Sequence, residues 1–514
     1  MPKNDKELYE SQVLRQHEKE MTTKHKKKLD FSPFKKDMQA MTDEKYIELE
    51  NLILEKTIRE LQISMDDERF TSKEMVVFYL KRIEIYQPKL NALIELNPDA
   101  LKLAEKADIE RKKNQRESLL LGIPIILKDN IGTKDKMHNT AGAKALEGSQ
   151  AKKDAPVVNK IRKQGGIILG KANMSEWAYQ MSSNGVCGYS ALGGQTKNPY
   201  GIFDVGGSSS GSAVCAALNL ASVTLGTETC GSIIYPASQN NIVGLKPTLG
   251  LWKSNRIIPI AQSFDTAGPM TRSVEDAALI NYFLSDISDL NEKDFEINFK
   301  TGHNKQYKLG LIDNPIIHSY YRSEDEHLLD QAVEDLKKLG FTVDRIKIDE
   351  KAFEVDLDSP LEYEFKKGVS DYLKETRPDK HRIRRLKDIW KYNKKDLMTR
   401  APYGQDLIKK SVFTDISKKE CQEIIKRDRI ICQNAIDSQL REYDGLISLS
   451  NHFSLIYAYA GYPALTVPAG FRSTGEPVGL TFVAGPYQES KLLNMGYIYE
   501  QGTNHRHSIP ALSN

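Results

Sequence analysis

The apolar positions follow a helical period first and break into short strand-like runs afterwards. Residues 1 to about 35 are highly charged with weak periodicity, which predicts a peripheral, frayed arm. From Thr71 the pattern sharpens. Thr71 and Glu74 have capping-box spacing, and Met75, Phe78, Tyr79, Ile83 and Ile85 include positions that share one helical face. Residues 97–107 predict a second helix. The apolar run 123–127 follows, then a helix over 157–164 whose first turn begins after Asp154 and contains Pro156. Gly165 and Gly166 stop it, and 167–169 reads as a buried strand.

A second alternation starts with a strand over 308–312. It continues through a helix over 324–339, stopped by Gly340, into a strand over 341–343. Residues 353–441 are charged and helical in pattern with few strand signals, as expected of an insertion or cap packed on a sheet, a natural seat for substrate selectivity. Core-like sequence returns with strands over 446–449, 464–467 and 478–483 and a helix over 489–501. This succession predicts an α/β fold, a sheet covered by helices on both faces. The chain divides into a charged helical segment (1–70), a single catalytic domain (71–507) and a short tail (508–514).

Composition narrows the function. Hydrophobic residues make up 39% of the chain and concentrate between 122 and 284, enough for a sizeable core. The 73 basic and 70 acidic residues leave a net +3, too little to argue for a nucleic-acid partner. Lys24, Lys26, Lys27 and Lys28 form a basic run without interleaved aromatics and read as a solvated arm rather than an anion-binding surface. Cys187, Cys215, Cys230, Cys421 and Cys432 are odd in number and lack CxxC spacing, so neither a disulfide framework nor a zinc ribbon is indicated. No signal-like h-region or 18-residue apolar run occurs, which predicts a soluble cytoplasmic enzyme without membrane association. No metal or organic cofactor is expected.

Candidate chemistry gathers at three polar positions. Residues 206–212 (GGSSSGS) precede the apolar series 213–220, which enters the core like a helix whose first N–H groups can face an anion. Taken alone, the run reads equally as a surface loop and helix cap. It also satisfies G-x-S-x-G at 207–211, but that nucleophile elbow needs an apolar strand directly before it, and residues 201–206 are not one. The histidine of such a triad has no home either, since His303, His318, His327, His505 and His507 lie in charged or loop-like sequence. Downstream, the strand-like 223–226 leads to Ser232. That serine reads either as a buried turn residue or as a nucleophile beside the amides of Thr229, Cys230, Gly231 and Ser232, able to point at one oxygen. Lys128 closes the run 125–127 and either exits to solvent or is desolvated at the sheet edge, where burial favours the neutral amine that can accept a proton.

These residues together resemble the amidase signature family. The match comprises 206–212, 226–232 (GTETCGS), Pro236 and 244–248 (GLKPT), with upstream matches at 122–124, 128–130 (KDN) and 170–177. Further matches are 193–196, 198–200, 265–270 (DTAGPM), 460–463 and 477–480, so the likeness is strong over 70–284 and moderate over 443–507. The resemblance implies a mixed central sheet between helical layers, a cis peptide before Ser208, Ser232 as nucleophile, Ser208 as bridging serine and Lys128 as base. It implies hydrolysis of a linear carboxamide through an acyl-enzyme.

Glu228, Cys230 and Ile234 depart from the family's commonest Asp, Gly and Arg. Glu228, together with 361–366 (LEYEFK) and 268–273 (GPMTRS), is similar to the peptide amidase branch, with a small-molecule or peptide amide as substrate. Tyr179, Asn184 and Tyr363 are candidates for lining the substrate pocket, although aromatics at such positions commonly serve packing. Oligomeric state stays open. Two alternatives remain: the glutaminase subunit of a tRNA-dependent amidotransferase, which would need partner subunits, and a noncatalytic scaffold.

Overall fold

The computed structural model describes residues 13, 15, 16, 27–113, 118–286, 306–377 and 381–509. Its framework is an eleven-stranded mixed sheet with the order β1-β3-β2-β6-β8-β7-β12-β13-β11-β9-β10. The strands are β1 (Leu93–Leu96), β2 (Pro124–Lys128), β3 (Ile167–Ala172), β6 (Val223–Glu228), β7 (Val243–Lys246), β8 (Thr266–Thr271), β9 (Lys308–Ile312), β10 (Thr342–Ile346), β11 (Gly445–Leu449), β12 (Ala464–Phe471) and β13 (Pro477–Val483). A two-stranded ribbon, β4 (Tyr189–Ser190) with β5 (Gly194–Gln195), stands apart. Strands β3, β2 and β6 are mutually parallel, as are β11, β9 and β10, while β8, β7, β12 and β13 join these blocks through antiparallel pairs. Every residue of β2, β3, β6, β7, β8, β11 and β13 is buried, as a sheet covered on both faces requires.

Local sequence marks the ends of several helices. Helix Ser72–Leu90 starts at the reciprocal Thr71/Glu74 capping box and ends at Asn91 in the left-handed conformation. Helix Pro156–Lys163 carries proline in its first turn, and Gly165 and Gly166 lead into β3. Residues 353–441 are mostly helical, as their pattern predicts, and include Asp358–Lys374, Leu386–Asn393, Leu397–Arg400, Asp406–Phe413 and Lys418–Leu440. They share a core with Trp177, Ile234 and Tyr457 of the sheet region.

Three expectations change. Residues 97–99 are not helical: the Asn97 amide N–H donates to Leu169 O at 2.9 Å, its Nδ2 to Ile168 O at 2.7 Å, and its Oδ1 accepts from the Asp99 amide at 3.1 Å. That competition for backbone groups delays the helix to Ala100–Lys112, and the preceding LIEL becomes edge strand β1. The N-terminal region is not all peripheral, because Phe34 and Met38 belong to the main core and a capped helix, Asp43–Ile53, follows. Lys27 is no solvated arm: it pairs with Glu95 at 2.8 Å while its amide N–H donates to Leu192 O. Lys28 is exposed, and Lys24, Lys26 and His303 lie outside the described residues. Among the described residues no helix is long and apolar enough to cross a membrane.

Candidate active site

Lys128 ends β2, an interior strand between β3 and β6, and is fully buried. Its Nζ donates to Ser208 Oγ at 2.8 Å and to Thr227 O at 3.1 Å. Burial drives its pKa down to about 7, against the opposing pull of the Asp265 and Glu228 carboxyls. The lysine is thus held near the point where charged and neutral forms balance, the condition a base needs at neutral pH.

Ser208 stands on a loop with no freedom to spread. Gly206 has φ +69°, and a Cβ there would lie 2.5 Å from Pro236 Cα. The Gly207 to Ser208 peptide is cis. Ser208 O accepts from the Ser175 amide at 3.1 Å. Ser209 locks the loop to the end of β6: its hydroxyl donates to Thr227 O at 3.0 Å and accepts from the Thr227 amide at 3.2 Å. The Ser209 amide also donates to Ser232 O at 3.2 Å, which ties the two serine loops together. No apolar strand precedes Ser208, so the elbow pattern at 207–211 has no elbow.

Ser232 lies four residues beyond β6 and is 8% exposed. Its hydroxyl has no hydrogen-bond partner among the described residues, and neither do the amides of Thr229, Cys230, Gly231 and Ser232. These N–H groups surround Gly231, whose φ of +79° reverses the chain. Of the groups that hold this turn, Glu228 stands out in the sequence, whereas Asp265 and Tyr457 do not. Asp265 accepts from Thr229 Oγ1 at 2.6 Å and from the Ile260 and Ala261 amides, and burial raises its pKa to about 7. Glu228 accepts from the Ile233 and Ile234 amides at 2.7 and 3.0 Å and from Tyr457 Oη at 2.9 Å. Asp265 opens the 265–270 match, where nothing local marks its carboxyl for this role, and Tyr457, distant in sequence, carries no local signal.

The three pocket candidates do not converge. Tyr179 donates to Gly185 O at 2.8 Å and borders a cavity of about 20 Å³ with Ser175, Glu176, Tyr189 and Tyr403, space for a single water. Burial raises the Glu176 pKa there to about 8. Asn184 is an exposed turn residue whose amide donates to Ser182 Oγ at 3.2 Å. Tyr363 borders a separate groove of about 150 Å³ with Gln262 and Glu364. No cluster of three or more His, Cys, Asp or Glu suited to a metal occurs among the described residues.

Fold and site define an α/β enzyme with a buried lysine-serine centre and a second serine in a turn of unpaired amides. The chain belongs to the amidase family, whose model matches residues 74–493. It is 36% identical over 475 residues to a probable amidase of Arabidopsis thaliana, covering 88% of this chain and 90% of that one. Among solved structures it resembles an amidase family protein from Bacillus anthracis, with TM-score 0.86, 35% identity and coverage of 94% and 97% of the two chains. The native peptide amidase from Stenotrophomonas maltophilia gives TM-score 0.81, 35% identity and coverage of 90% and 99%. The likeness to the peptide amidase branch therefore extends from motifs to the whole fold.

Proposed function

We propose that the protein hydrolyses the C–N bond of a linear carboxamide, with a C-terminal peptide amide as the favoured substrate class, through Lys128, Ser208 and Ser232. The 2.8 Å contact between the buried Lys128 amine and Ser208 Oγ carries this reading. Neutral Lys128 accepts the Ser208 proton while Ser208 takes the proton of Ser232, whose Oγ bonds to the carboxamide carbon. The carbonyl oxygen becomes an oxyanion facing the amides of Thr229 to Ser232. Ser208 then returns a proton to the nitrogen, the C–N bond breaks, and ammonia or an amine departs. Water attacks the resulting ester by the same route, releasing the acid and restoring Ser232. The likeness to the peptide amidase supports the substrate class, and no step requires a partner protein or cofactor. We place the protein in the cytoplasm.

Acyl transfer to hydroxylamine tests the reading. The wild-type chain with a C-terminally amidated peptide should form the hydroxamate, and Ser232→Ala should lose this by about three orders of magnitude or more. Near-normal transfer by the purified variant would remove Ser232 as nucleophile. Preference for free glutamine over the peptide amide would favour an amidotransferase glutaminase. Failure of a fluorophosphonate to label folded protein at Ser232 would favour a scaffold.

A further inference from the structure

The turn that carries Ser232 is held from behind by a buried polar chain. Glu228 ends β6, and its Oε2 accepts from the Ile233 and Ile234 amides directly after Ser232. Its other oxygen, Oε1, accepts from Tyr457 Oη at 2.9 Å. Tyr457 is fully buried in helix Ser454–Ala460. Beneath its ring, at 5.9 Å from the centroid, lies Nζ of buried Lys246, which donates to Tyr462 O at 2.8 Å and Pro247 O at 3.2 Å. Ile234, two positions past Ser232, brings no charge to this site. The Glu228 carboxylate is instead balanced by one phenol, two amides and the lysines at the ends of β2 and β7.

Resting on the reading of Ser232 as nucleophile, we propose that Tyr457 is a positioning residue for amide hydrolysis: its hydroxyl fixes Glu228, and Glu228 fixes the backbone bearing Ser232 and its neighbouring amides. Burial and the adjacent carboxylate hold the Tyr457 phenol far above its ordinary pKa, so it remains a donor throughout the working range. Without that hydroxyl, one carboxylate oxygen is left in the interior lacking its partner, and the side chain must turn to find another. Turning it moves the Ile233 and Ile234 amides, and with them the oxyanion-binding turn, by the fractions of an ångström that catalysis resolves. Glu228 also acts at a distance. Its charge and that of Asp265 favour the ammonium form of Lys128, while Lys246, Cys230 and Tyr457 are the other titratable groups around it.

Two variants of the full chain separate positioning from plain structure, with active sites counted by fluorophosphonate labelling. Tyr457→Phe keeps the ring and removes the donor. It should lower kcat per labelled site about tenfold toward a peptide amide, with KM within about twofold of wild type. Glu228→Gln preserves shape, its oxygen serving the two amides and its NH₂ facing the Tyr457 oxygen, but deletes the charge. The acidic limb of its kcat/KM profile should move about half a pH unit lower, because one stabiliser of the Lys128 ammonium is gone. A kcat per labelled site within twofold of wild type for Tyr457→Phe overturns the proposal, as does an unmoved limb for Glu228→Gln. Should Tyr457→Phe fail to fold, Glu228→Ala, which removes the link between Tyr457 and the turn, takes its place, and a kcat per labelled site within twofold of wild type for that variant overturns the proposal. Absence of labelling at Ser232 in wild type is a separate result that removes the nucleophile and this inference together.

Discussion

Lys128 is the residue at which activity and stability pull in opposite directions. Its pKa falls from 10.5 to about 7 on folding, so between those values the unfolded chain binds one proton that the folded chain does not. Stability contributed by this group therefore rises as pH increases from about 7 to about 10, and the penalty is complete below about 7. Activity follows the same proton for a different reason: kcat/KM should climb with unit slope through about pH 7 as the amine becomes neutral. Lys128→Met should abolish hydrolysis while stabilising the fold at about pH 6 by roughly 1 kcal/mol, and the gain should shrink toward about pH 9. Urea midpoints at the two pH values, read beside a pH–rate profile, check both halves. A flat acidic limb in folded protein would count against the lysine base.

At the scale of elements, the helix Ser210–Ala217 decides how the serine loops meet, and all of its residues are buried. Gly211 lies against the backbone of Ala92 and Asn173, where an added Cβ would come within 2.6 Å of Asn173 N and closer still to two carbonyl oxygens. Gly211→Ala should cost about 1–3 kcal/mol in thermal unfolding and slow fluorophosphonate labelling of Ser232 at least about tenfold. Unchanged labelling would mean the loops are positioned without this contact. Elements with local signatures were legible in advance: the Thr71/Glu74 box marks helix Ser72–Leu90, and apolar runs mark β2, β9 and β11. Strand β8 was not, because Gly268 and Pro269 argue against a strand, yet Pro269 pairs with Leu225 between two neighbours. Strand β1 was hidden by its four-residue length, and the later start of the helix after it by Asn97, which bonds to the β3 backbone instead of joining the helix.

Across the whole molecule, segments far apart in the sequence meet at buried charges. Arg472 on the β12 to β13 hairpin pairs with Asp325 at 2.7 Å, and both are buried. Glu476 of the same hairpin contacts Arg322 and accepts from Gln239 Nε2 at 2.8 Å, at the end of the helix that starts beside Ser232. Asp325→Ala should destabilise by about 3–5 kcal/mol in urea unfolding, since it leaves the Arg472 charge buried without its main partner. A loss under about 1 kcal/mol would show that Glu476 suffices. Local residue order suffices for the Thr71/Glu74 cap, the buried strand runs, the candidate serines and the candidate lysine, because each rests on neighbours within a few positions. Tertiary structure alone decided that Lys128 reaches Ser208 across 80 positions and that Tyr457 reaches Glu228 across 229. Sheet order sets those meetings, and it follows from burying many faces at once, a sum that no local stretch of residues contains.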